Sequence, residues 1–345
     1  MIKKLLLSVF ALGFLFNAVT VNAQSEIEDI FQAGPSDSEK LLKAYLNPMF
    51  KGLGIGLNSS WHHSANTKKP FRFDFRFSAI MAMVPNQDKA FNINNLGLKN
   101  IRPSNPLQTI SPTVFGSKED GAELELFHPD YPDPSPYRFN LPQGTGLNYV
   151  PVPQVQFTMG VLNHLDISLR YVPEVKYDDA NFTLLGIGGK LELSPLFFNK
   201  NLDRNPLDLA VAFGYSTMKF HLPLDLADQP TKDQEIISKF HGYNTELIVS
   251  KRMGFFAPFA SLSYQRAFSY LDANGTYEYQ IPATSPTSET SRTYVNPISF
   301  RQKDVQGLFP TVGFQMYLGP LKVFAAYSFA SYHYANAGIA IGTKN

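Results

Sequence analysis

Residues 71–83, with the sequence FRFDFRFSAIMAM, alternate almost perfectly between an apolar face and a face that begins with polar side chains. The apolar set occupies every odd position and contains Phe71, Phe73, Phe75, Phe77, Ala79, Met81 and Met83. The even positions begin with Arg72, Asp74, Arg76 and Ser78. A period of two indicates a β-strand, because successive side chains of a strand point to opposite faces. One fully apolar face is typical of a strand that meets lipid, with water or ion pairs on its other side.

The first 23 residues have the three parts of an export signal. Lys3 and Lys4 give a positive start, residues 5–16 form an apolar run, and Val21-Asn22-Ala23 supplies small residues for cleavage after Ala23. The apolar run is shorter than the roughly 20 residues that a membrane-spanning helix needs. We therefore expect export of the chain and removal of residues 1–23.

Composition narrows the class of the exported protein. Lys and Arg number 30 against 29 Asp and Glu, which argues against nucleic acid as a partner. The chain has no cysteine, so disulfides and thiolate metal sites are excluded. After residue 23 no apolar run is long enough for a transmembrane helix. The chain has 29 Phe and 17 Tyr, and without a transmembrane helix it could insert into a membrane only as a closed β-barrel.

Alternating segments recur along the rest of the chain. They are residues 51–63, 155–161, 165–171, 185–193, 207–216, 243–250, 260–265, 312–318 and 323–334. Several begin or end in Phe or Tyr, as expected of the aromatic girdles of membrane barrels. The predicted fold is an all-β, antiparallel transmembrane β-barrel of 10 to 14 strands, with twelve preferred, and a short N-terminal α-helical segment. Residues 51–345 would form the barrel, with long loops at 85–147, 222–239 and 272–306.

Residues 24–50 precede the barrel and have helical spacing. Leu41, Leu42 and Tyr45 form one apolar stripe, and Pro48 would end the helix. Two interpretations remain open for this segment. It is either a periplasmic cap resting on the barrel or a plug inside the lumen that gates passage.

Charged residues alternate with the apolar ones and should face the lumen. They are Arg72, Asp74, Arg76, Asp166, Arg170, Lys190, Glu192 and Glu246. A charge facing lipid costs roughly 2–4 kcal/mol for Arg or Lys at the midplane, which favours the inward direction. The set is either an ion-pair network that fills a narrow lumen or a polar constriction that selects solutes.

The histidines give little support for a metal site or an enzyme. His62 and His63 are adjacent, so on a strand they would point to opposite faces and could not share one ion. His164 would share a face with Asp166, which keeps a Ser–His–Asp site conceivable. No nucleophile motif accompanies them. We predict no catalytic residues, no metal and no cofactor.

Five segments together resemble an uncharacterised family of exported bacterial proteins that are predicted to form outer-membrane barrels. They are residues 44–65, 151–160, 169–177, 186–193 and 207–216. The resemblance implies a barrel in the outer membrane of a Gram-negative bacterium and implies no activity. A fainter similarity, carried by the N-terminal helical segment and the aromatic-rich barrel, is to outer-membrane transporters of long-chain fatty acids and other hydrophobic compounds. Their hatch sequence is matched only in part, at Asn47-Pro48.

The expected function is passive transport or binding of a small amphipathic or hydrophobic compound. The expected partners are outer-membrane lipid and a small hydrophobic solute. The alternative is a non-transporting surface anchor or assembly protein that acts through its long loops.

Overall fold

The structure is a computed structural model that describes residues 30–31, 34–127, 138–177, 180–197, 207–224, 231, 233–280 and 291–343. The predicted signal peptide, residues 1–23, lies outside the described residues and stays a prediction. Among the described residues, helix α1 spans Pro35–Asn58 and helix α2 spans Ser194–Phe197. Residues Asn86–Asp88 and Ile93–Leu96 form 3-10 turns.

Ten long strands form the barrel wall. They are β1 (Phe73–Met83), β7 (Tyr149–Leu162), β8 (Leu165–Tyr177), β9 (Ala180–Glu192), β10 (Asp208–Pro223), β11 (Glu235–Ser250), β12 (Phe256–Asn274), β15 (Ile298–Leu318), β16 (Leu321–Ser328) and β17 (Tyr334–Gly342). The others are short: β2 (Ala90–Asn92), β3 (Ile101–Pro103), β4 (Ile110–Pro112), β5 (Glu123–Leu126), β6 (Arg138–Asn140), β13 (Thr276–Gln280) and β14 (Ser291–Val295).

The wall is a closed, antiparallel sheet. Its strand order is β1-β17-β16-β15-β12-β11-β10-β9-β8-β7, and β7 pairs again with β1. Closure pairs Phe73 with Met159 on one side of β1 and Asp74 with Gly342 on the other. A closed barrel leaves no strand edge unpaired. Ten strands fall within the predicted range of 10 to 14, although twelve was the preferred number.

Side chains alternate between the two faces of the wall as the sequence pattern predicts. On β1 the side chains of Asp74, Arg76 and Ser78 are buried inside the barrel. Phe73 and Phe75 lie on the outside and are exposed. The apolar outer face and the polar inner face are the reverse of a soluble protein with an apolar core.

The two ends of the barrel differ. At one end, called the loop end, residues 84–148 connect β1 to β7 and contain the short strands β2 to β6. The hairpin of β13 and β14 lies at the same end, between β12 and β15. The opposite end, called the terminal end, holds the start of β1, the end of β17 and the tight turn at Asn163-His164.

Two predicted loops are shorter than expected because the strands beside them extend further. β10 runs to Pro223 and β11 starts at Glu235, so much of the predicted loop 222–239 is strand. β12 runs to Asn274 and β15 starts at Ile298, so both ends of the predicted loop 272–306 are also strand.

The prediction of a strand at residues 51–63 was wrong. Helix α1 continues through Pro48 to Asn58. The apparent alternation comes from Gly52, Gly54 and Gly56, which allow the helix to pack closely against the barrel wall. A Cβ on Gly52 would lie 2.3 Å from a methyl of Val150, and one on Gly54 would lie 2.8 Å from the Cβ of Ala267. Tertiary packing inside the barrel therefore outweighs the local pattern and the helix-breaking tendency of Pro48.

Wall glycines provide the space for the residues that follow the helix. Gly188 on β9 and Gly214 on β10 both face the indole ring of Trp61. A Cβ would lie 2.8 Å from the ring at Gly188 and 2.4 Å from it at Gly214. A side chain at either position would occupy the volume that Trp61 fills.

This packing can be tested because Trp61 is the single tryptophan of the chain. We expect Gly188→Ala to shift the fluorescence emission of Trp61 and to lower the free energy of unfolding by about 1–3 kcal/mol, as overpacking usually does. Gly189→Ala is the matched control, because a Cβ there meets only a backbone oxygen at 3.8 Å. Equal emission spectra for the two variants would contradict the assigned position of Trp61.

Candidate functional site

The lumen of the barrel is occupied by residues 34–70, called the plug. The plug starts at the loop end, where the side chain of Asp37 accepts hydrogen bonds from the backbone amides of Lys99 (2.8 Å) and Asn100 (2.7 Å). Its helix then contacts six wall strands, β1, β7, β10, β11, β12 and β15. It leaves at the terminal end, where the amide of Phe71 donates to the carbonyl of Gly160 (2.8 Å).

The upper part of the plug is packed through apolar side chains. Leu41 and Leu42 are buried in one cluster with Phe50, Phe240 and Phe300. The ring centroids of Phe50 and Phe240 are 5.6 Å apart. The apolar stripe identified in the sequence therefore lies inside the barrel.

The third residue of that stripe, Tyr45, is also buried, and it contacts the insertion between β1 and β7. Its hydroxyl donates to the carbonyl of Gln143 (2.9 Å), and its own carbonyl accepts from the amide of Val114 (3.0 Å). The Asp88 carboxylate binds Lys51 (2.8 Å) and the Tyr332 hydroxyl. Burial, together with that carboxylate, raises the pKa of Tyr332 well above its usual range, so the hydroxyl stays protonated and donates.

The end of α1 is held by the guanidinium of Arg170. Its Nη1 donates to the carbonyl of Leu57 (3.0 Å), its Nη2 to that of Ser59 (2.7 Å), and its Nε to Gln156 (3.0 Å). The last carbonyls of a helix have no partner within the helix, and they carry its negative dipole end. The Arg170 cation donates hydrogen bonds to these carbonyls and also places a positive charge at the negative end of the helix dipole. Its guanidinium stacks on Trp61, 3.6 Å from the ring centroid.

The residues after the helix are held by Arg76 and His63. Nη1 of Arg76 donates to the carbonyl of Trp61 (3.1 Å) and lies 2.9 Å from Nδ1 of His63. Nε2 of His63 lies 2.8 Å from the side-chain oxygen of Asn336. Since an arginine can only donate, Nδ1 accepts and Nε2 carries the proton, which makes His63 a neutral link between the plug and the wall.

Two ion-pair groups hold the lowest part of the plug. The Asp74 carboxylate lies between Lys68 of the plug (2.7 Å) and Lys322 of β16 (3.0 Å). Asp166 accepts from the backbone amide of Lys68 (2.8 Å) and pairs with Lys190 (3.3 Å).

Lys190 extends this second group along the plug. Its ammonium donates to the carbonyls of Ser64 (3.1 Å) and Asn66 (2.6 Å). The wall thus holds the lower plug through its backbone carbonyls and amides as well as through the side chains of His63 and Lys68.

Seven of the eight charged residues predicted to face the lumen are buried inside it. They are Asp74, Arg76, Asp166, Arg170, Lys190, Glu192 and Glu246. Arg72 differs, because its side chain is exposed. β1 starts one residue later, and Phe71 before it has a positive φ of 63°, so Arg72 belongs to a turn in which strand alternation does not apply.

Several residues of this site were not identified from the sequence. Trp61, His63 and Lys68 lie in an irregular segment whose pattern gives no direction for its side chains. Lys322 could have been found, because it alternates with Leu321 and Val323 on β16.

His164 and Asp166 have different partners in the structure. Asp166 is engaged by the plug and Lys190, whereas Nδ1 of His164 lies 3.6 Å from Glu192. In the described residues no group of three or more His, Asp or Glu side chains is arranged to hold a metal ion. None of the described helices is long and apolar enough to span a membrane.

These features define a class of protein, a closed antiparallel β-barrel whose lumen is filled by the preceding segment of the same chain. The chain belongs to a family described as "Family of unknown function (DUF6588)", whose model matches residues 2–343. No curated protein matches it.

Solved structures with some similarity include three bacterial outer-membrane proteins. The outer membrane protease OmpT from Escherichia coli is 12% identical, with 81% of this chain and 100% of that chain covered and a TM-score of 0.35. The outer membrane transporter YddB from Escherichia coli is 10% identical, with 78% and 41% covered and a TM-score of 0.31. A FadL homologue from Pseudomonas aeruginosa is 8% identical, with 87% and 90% covered and a TM-score of 0.22. At these TM-scores no function is carried over from them.

The Asp74 group provides a test of the ion pairs. We expect Asp74→Ala to lower the free energy of unfolding by about 3–5 kcal/mol, because it leaves Lys68 and Lys322 buried without their anion. Replacing all three residues (Asp74→Leu, Lys68→Met and Lys322→Met) should restore most of that loss. The measurement is urea unfolding in lipid vesicles.

The control for this series is Glu39→Ala. Glu39 pairs with Lys43 near the loop end, where both side chains are about one-third exposed (34% and 35%), so the loss should be at most about 1 kcal/mol. Equal losses for Asp74→Ala and Glu39→Ala would contradict the assigned role of Asp74.

Proposed function

We propose that this chain is an outer-membrane barrel of a Gram-negative bacterium that passes or binds a small amphipathic or hydrophobic compound, with the plug as its gate. The single observation that carries the proposal is the way the lumen is filled. A separate chain segment occupies it, and the lower part of that segment is bound through hydrogen bonds and ion pairs that water can replace.

The outer wall supports the membrane location. Exposed apolar side chains are frequent on it, among them Phe75, Phe213, Leu247 and Leu262. Such a surface is unfavourable in water, whereas a closed barrel can place it against lipid with all strand hydrogen bonds satisfied. Together with the predicted signal peptide, this favours the outer membrane, with the longer loops outward as is usual for such barrels.

The division of the lumen supports an amphipathic compound. The upper lumen is lined by apolar side chains such as Leu271, Phe240 and Phe300. The lower lumen contains the cations of Arg170, Arg76 and Lys190 together with the carboxylates of Asp74, Asp166, Glu192 and Glu246. If the plug moved toward the terminal end, a compound with an apolar tail and a polar head would meet complementary surroundings along the route.

The second candidate is a non-transporting surface anchor. The observation that favours it is the tight fit of the plug. The pocket between plug and wall near His62, Lys68 and Lys322 has a volume of only about 20 Å³, which is room for about one water molecule. An anchor would keep this closed state and act through its loop end.

A plug-release variant distinguishes the two candidates. We expect Arg170→Ala to increase channel-opening events in planar bilayers at least tenfold, because the carbonyl of Ser59 loses its donor and that of Leu57 keeps only the hydroxyl of Ser216 (3.1 Å). Arg72→Ala is the matched control and should behave as the unmodified protein, since the side chain of Arg72 is exposed and its contact with the plug is made by the backbone amide, which donates to the carbonyl of Lys69 (3.0 Å) and is kept in the variant.

A disulfide lock makes the test specific for plug movement. A Cβ on Gly242 would lie 3.1 Å from the Cβ of Leu57, close to the roughly 3.8 Å of a disulfide, and the chain has no other cysteine. In the Arg170→Ala background, Leu57→Cys with Gly242→Cys should stop the openings when oxidised and restore them when reduced. A folded Arg170→Ala protein that never opens, and that takes up no fluorescent fatty acid into vesicles, would favour the anchor.

A further inference from the structure

Five basic side chains form a cluster on the outside of the barrel wall. This cluster, called the basic face, consists of Lys219, Lys239, Arg266, Arg301 and Lys303. All five are exposed, and they lie on the neighbouring strands β10, β11, β12 and β15. None of the five forms an ion pair with another residue that the structure describes.

The strand register places these cations in adjacent rows. Lys219 lies directly opposite Lys239, and Lys239 lies opposite Tyr270. Tyr270 in turn lies opposite Arg301. With about 4.8 Å between strands, this row is about 14 Å wide. Like charges directly opposite each other destabilise a sheet, so an anion bound between Lys219 and Lys239 would reduce the repulsion between these two side chains.

The height of the basic face matches a membrane boundary. Arg266 lies ten residues along β12 from Phe256, the strand end nearest the terminal end. At about 3.4 Å per residue and a tilt of about 40°, this is about 26 Å along the barrel axis. The apolar band of such barrels is about 25 Å tall. The cations therefore begin where the acyl chains end and the headgroups start.

Aromatic side chains lie in the same rows as the cations of the basic face, because Tyr243 pairs with Arg266 and Phe268 pairs with Lys303. The rings of His241 and Phe268 stack at 5.3 Å, and those of Tyr215 and Tyr243 lie 4.9 Å apart. The guanidinium of Arg301 lies over Phe268, 4.5 Å from the ring centroid. This stacking holds the guanidinium flat while leaving its N–H groups free to donate.

An open groove lies within the basic face. It has a volume of about 340 Å³, and it is lined by Arg266, Phe268, Arg301, Gln302 and Lys303. Three of its five lining residues are cations, so it is complementary in charge to a phosphate group.

The nearest outward-facing acids are already engaged. Glu235 binds His221 (2.8 Å) and Asn274 (3.1 Å), and Asp272 accepts from the hydroxyl of Ser299 (2.7 Å). Both acids lie further toward the loop end than the rows of cations. Glu235 interacts electrostatically with Lys219 without forming an ion pair, and in the part of the chain that the structure describes no acid pairs with the other four cations.

The basic face is confined to one side of the barrel. Of the other six wall strands, β1, β7, β9, β16 and β17 carry no charged residue at an outward position of the described strands. The sixth, β8, carries one exposed acid and one exposed base near the loop end, Glu174 and Lys176. A nonspecific attraction to an anionic membrane would not require the cations to be concentrated on four strands. Binding of one molecule of definite size would require such a concentration.

We propose that the basic face binds the phosphate groups of a phosphorylated glycolipid of the lipid A type in the outer leaflet. Two phosphates joined by a disaccharide match the width of the cation row, and acyl chains below them would contact the apolar wall. The proposal rests on the outer-membrane location with the loop end outward, but it does not depend on the plug acting as a gate.

The test is native mass spectrometry of the purified full chain in non-ionic detergent, titrated with bisphosphorylated lipid A. The variant is Arg266→Gln with Arg301→Gln and Lys303→Gln. We expect it to bind lipid A at least tenfold more weakly than the unmodified protein. Arg252→Gln is the matched control, because Arg252 also stacks on an aromatic ring (Tyr317, 4.1 Å) but lies at the terminal end. Its affinity should be unchanged.

Two further lipids identify what is recognised. Dephosphorylated lipid A and phosphatidylglycerol should each bind at least tenfold more weakly than lipid A. Equal binding of lipid A by the unmodified protein and the triple variant would overturn the proposal. So would binding of dephosphorylated lipid A or of phosphatidylglycerol by the unmodified protein as tightly as lipid A. Should the triple variant fail to fold, Lys219→Gln with Lys239→Gln provides a second test with the same criterion. Membrane fractionation of the expressed protein tests its location separately, and channel recordings test the gate.

Discussion

The mutual satisfaction of buried polar groups by the plug and the wall is the constraint on which this structure depends. A lumen containing Arg76, Arg170 and Lys190 cannot be dry unless each cation has partners, because an isolated buried charge costs several kcal/mol. The plug has the complementary problem, since the carbonyls at the end of α1 and in residues 59–66 have no partners in a helix or sheet. The wall cations donate hydrogen bonds to the plug carbonyls, so each group supplies the partners that the other lacks. Neither the empty barrel nor the free segment would be stable in the same form.

Glycines make this arrangement sterically possible. The plug and the wall approach closely at Gly52 and Gly56 on the helix and at Gly188 and Gly214 on the wall. A ten-strand barrel is narrow, and a helix with side chains is about 10–12 Å in diameter. Close packing at the glycines brings the helix backbone near β7 and leaves room for the aromatic cluster on the other side. The irregular segment after Asn58 then places Trp61 against two glycines and under Arg170.

The parts of the structure that the sequence predicted are those in which one local rule and the tertiary structure agree. In β1 and β8 the period of two, the β-branched and aromatic residues and the direction of the charges all agree, so the inward positions of Asp74 and Arg170 could be inferred. At residues 51–58 the rules conflict, because glycines that serve packing imitate alternation. An ion pair among the inward charges, such as Asp166 with Lys190, agrees with the ion-pair network that the sequence left open. The partners of Arg170 in the plug could not be inferred, because they are backbone carbonyls and a side-chain pattern does not indicate a backbone acceptor.

The barrel uses its charges differently on its two faces, and the difference follows from the solvent that each face meets. Inside, where water is largely excluded, Asp74 is paired with two lysines and Arg170 donates to three oxygens. Outside, Lys219, Lys239 and Lys303 lie unpaired on the wall, although neighbouring acids could have been placed opposite them. Burial makes an unpaired charge too costly, whereas exposure at a headgroup layer makes it tolerable and gives it a use. The pairing inside is therefore explained by folding. The cations outside form no ion pair with the residues that the structure describes, and the glycolipid proposed above would supply their partner.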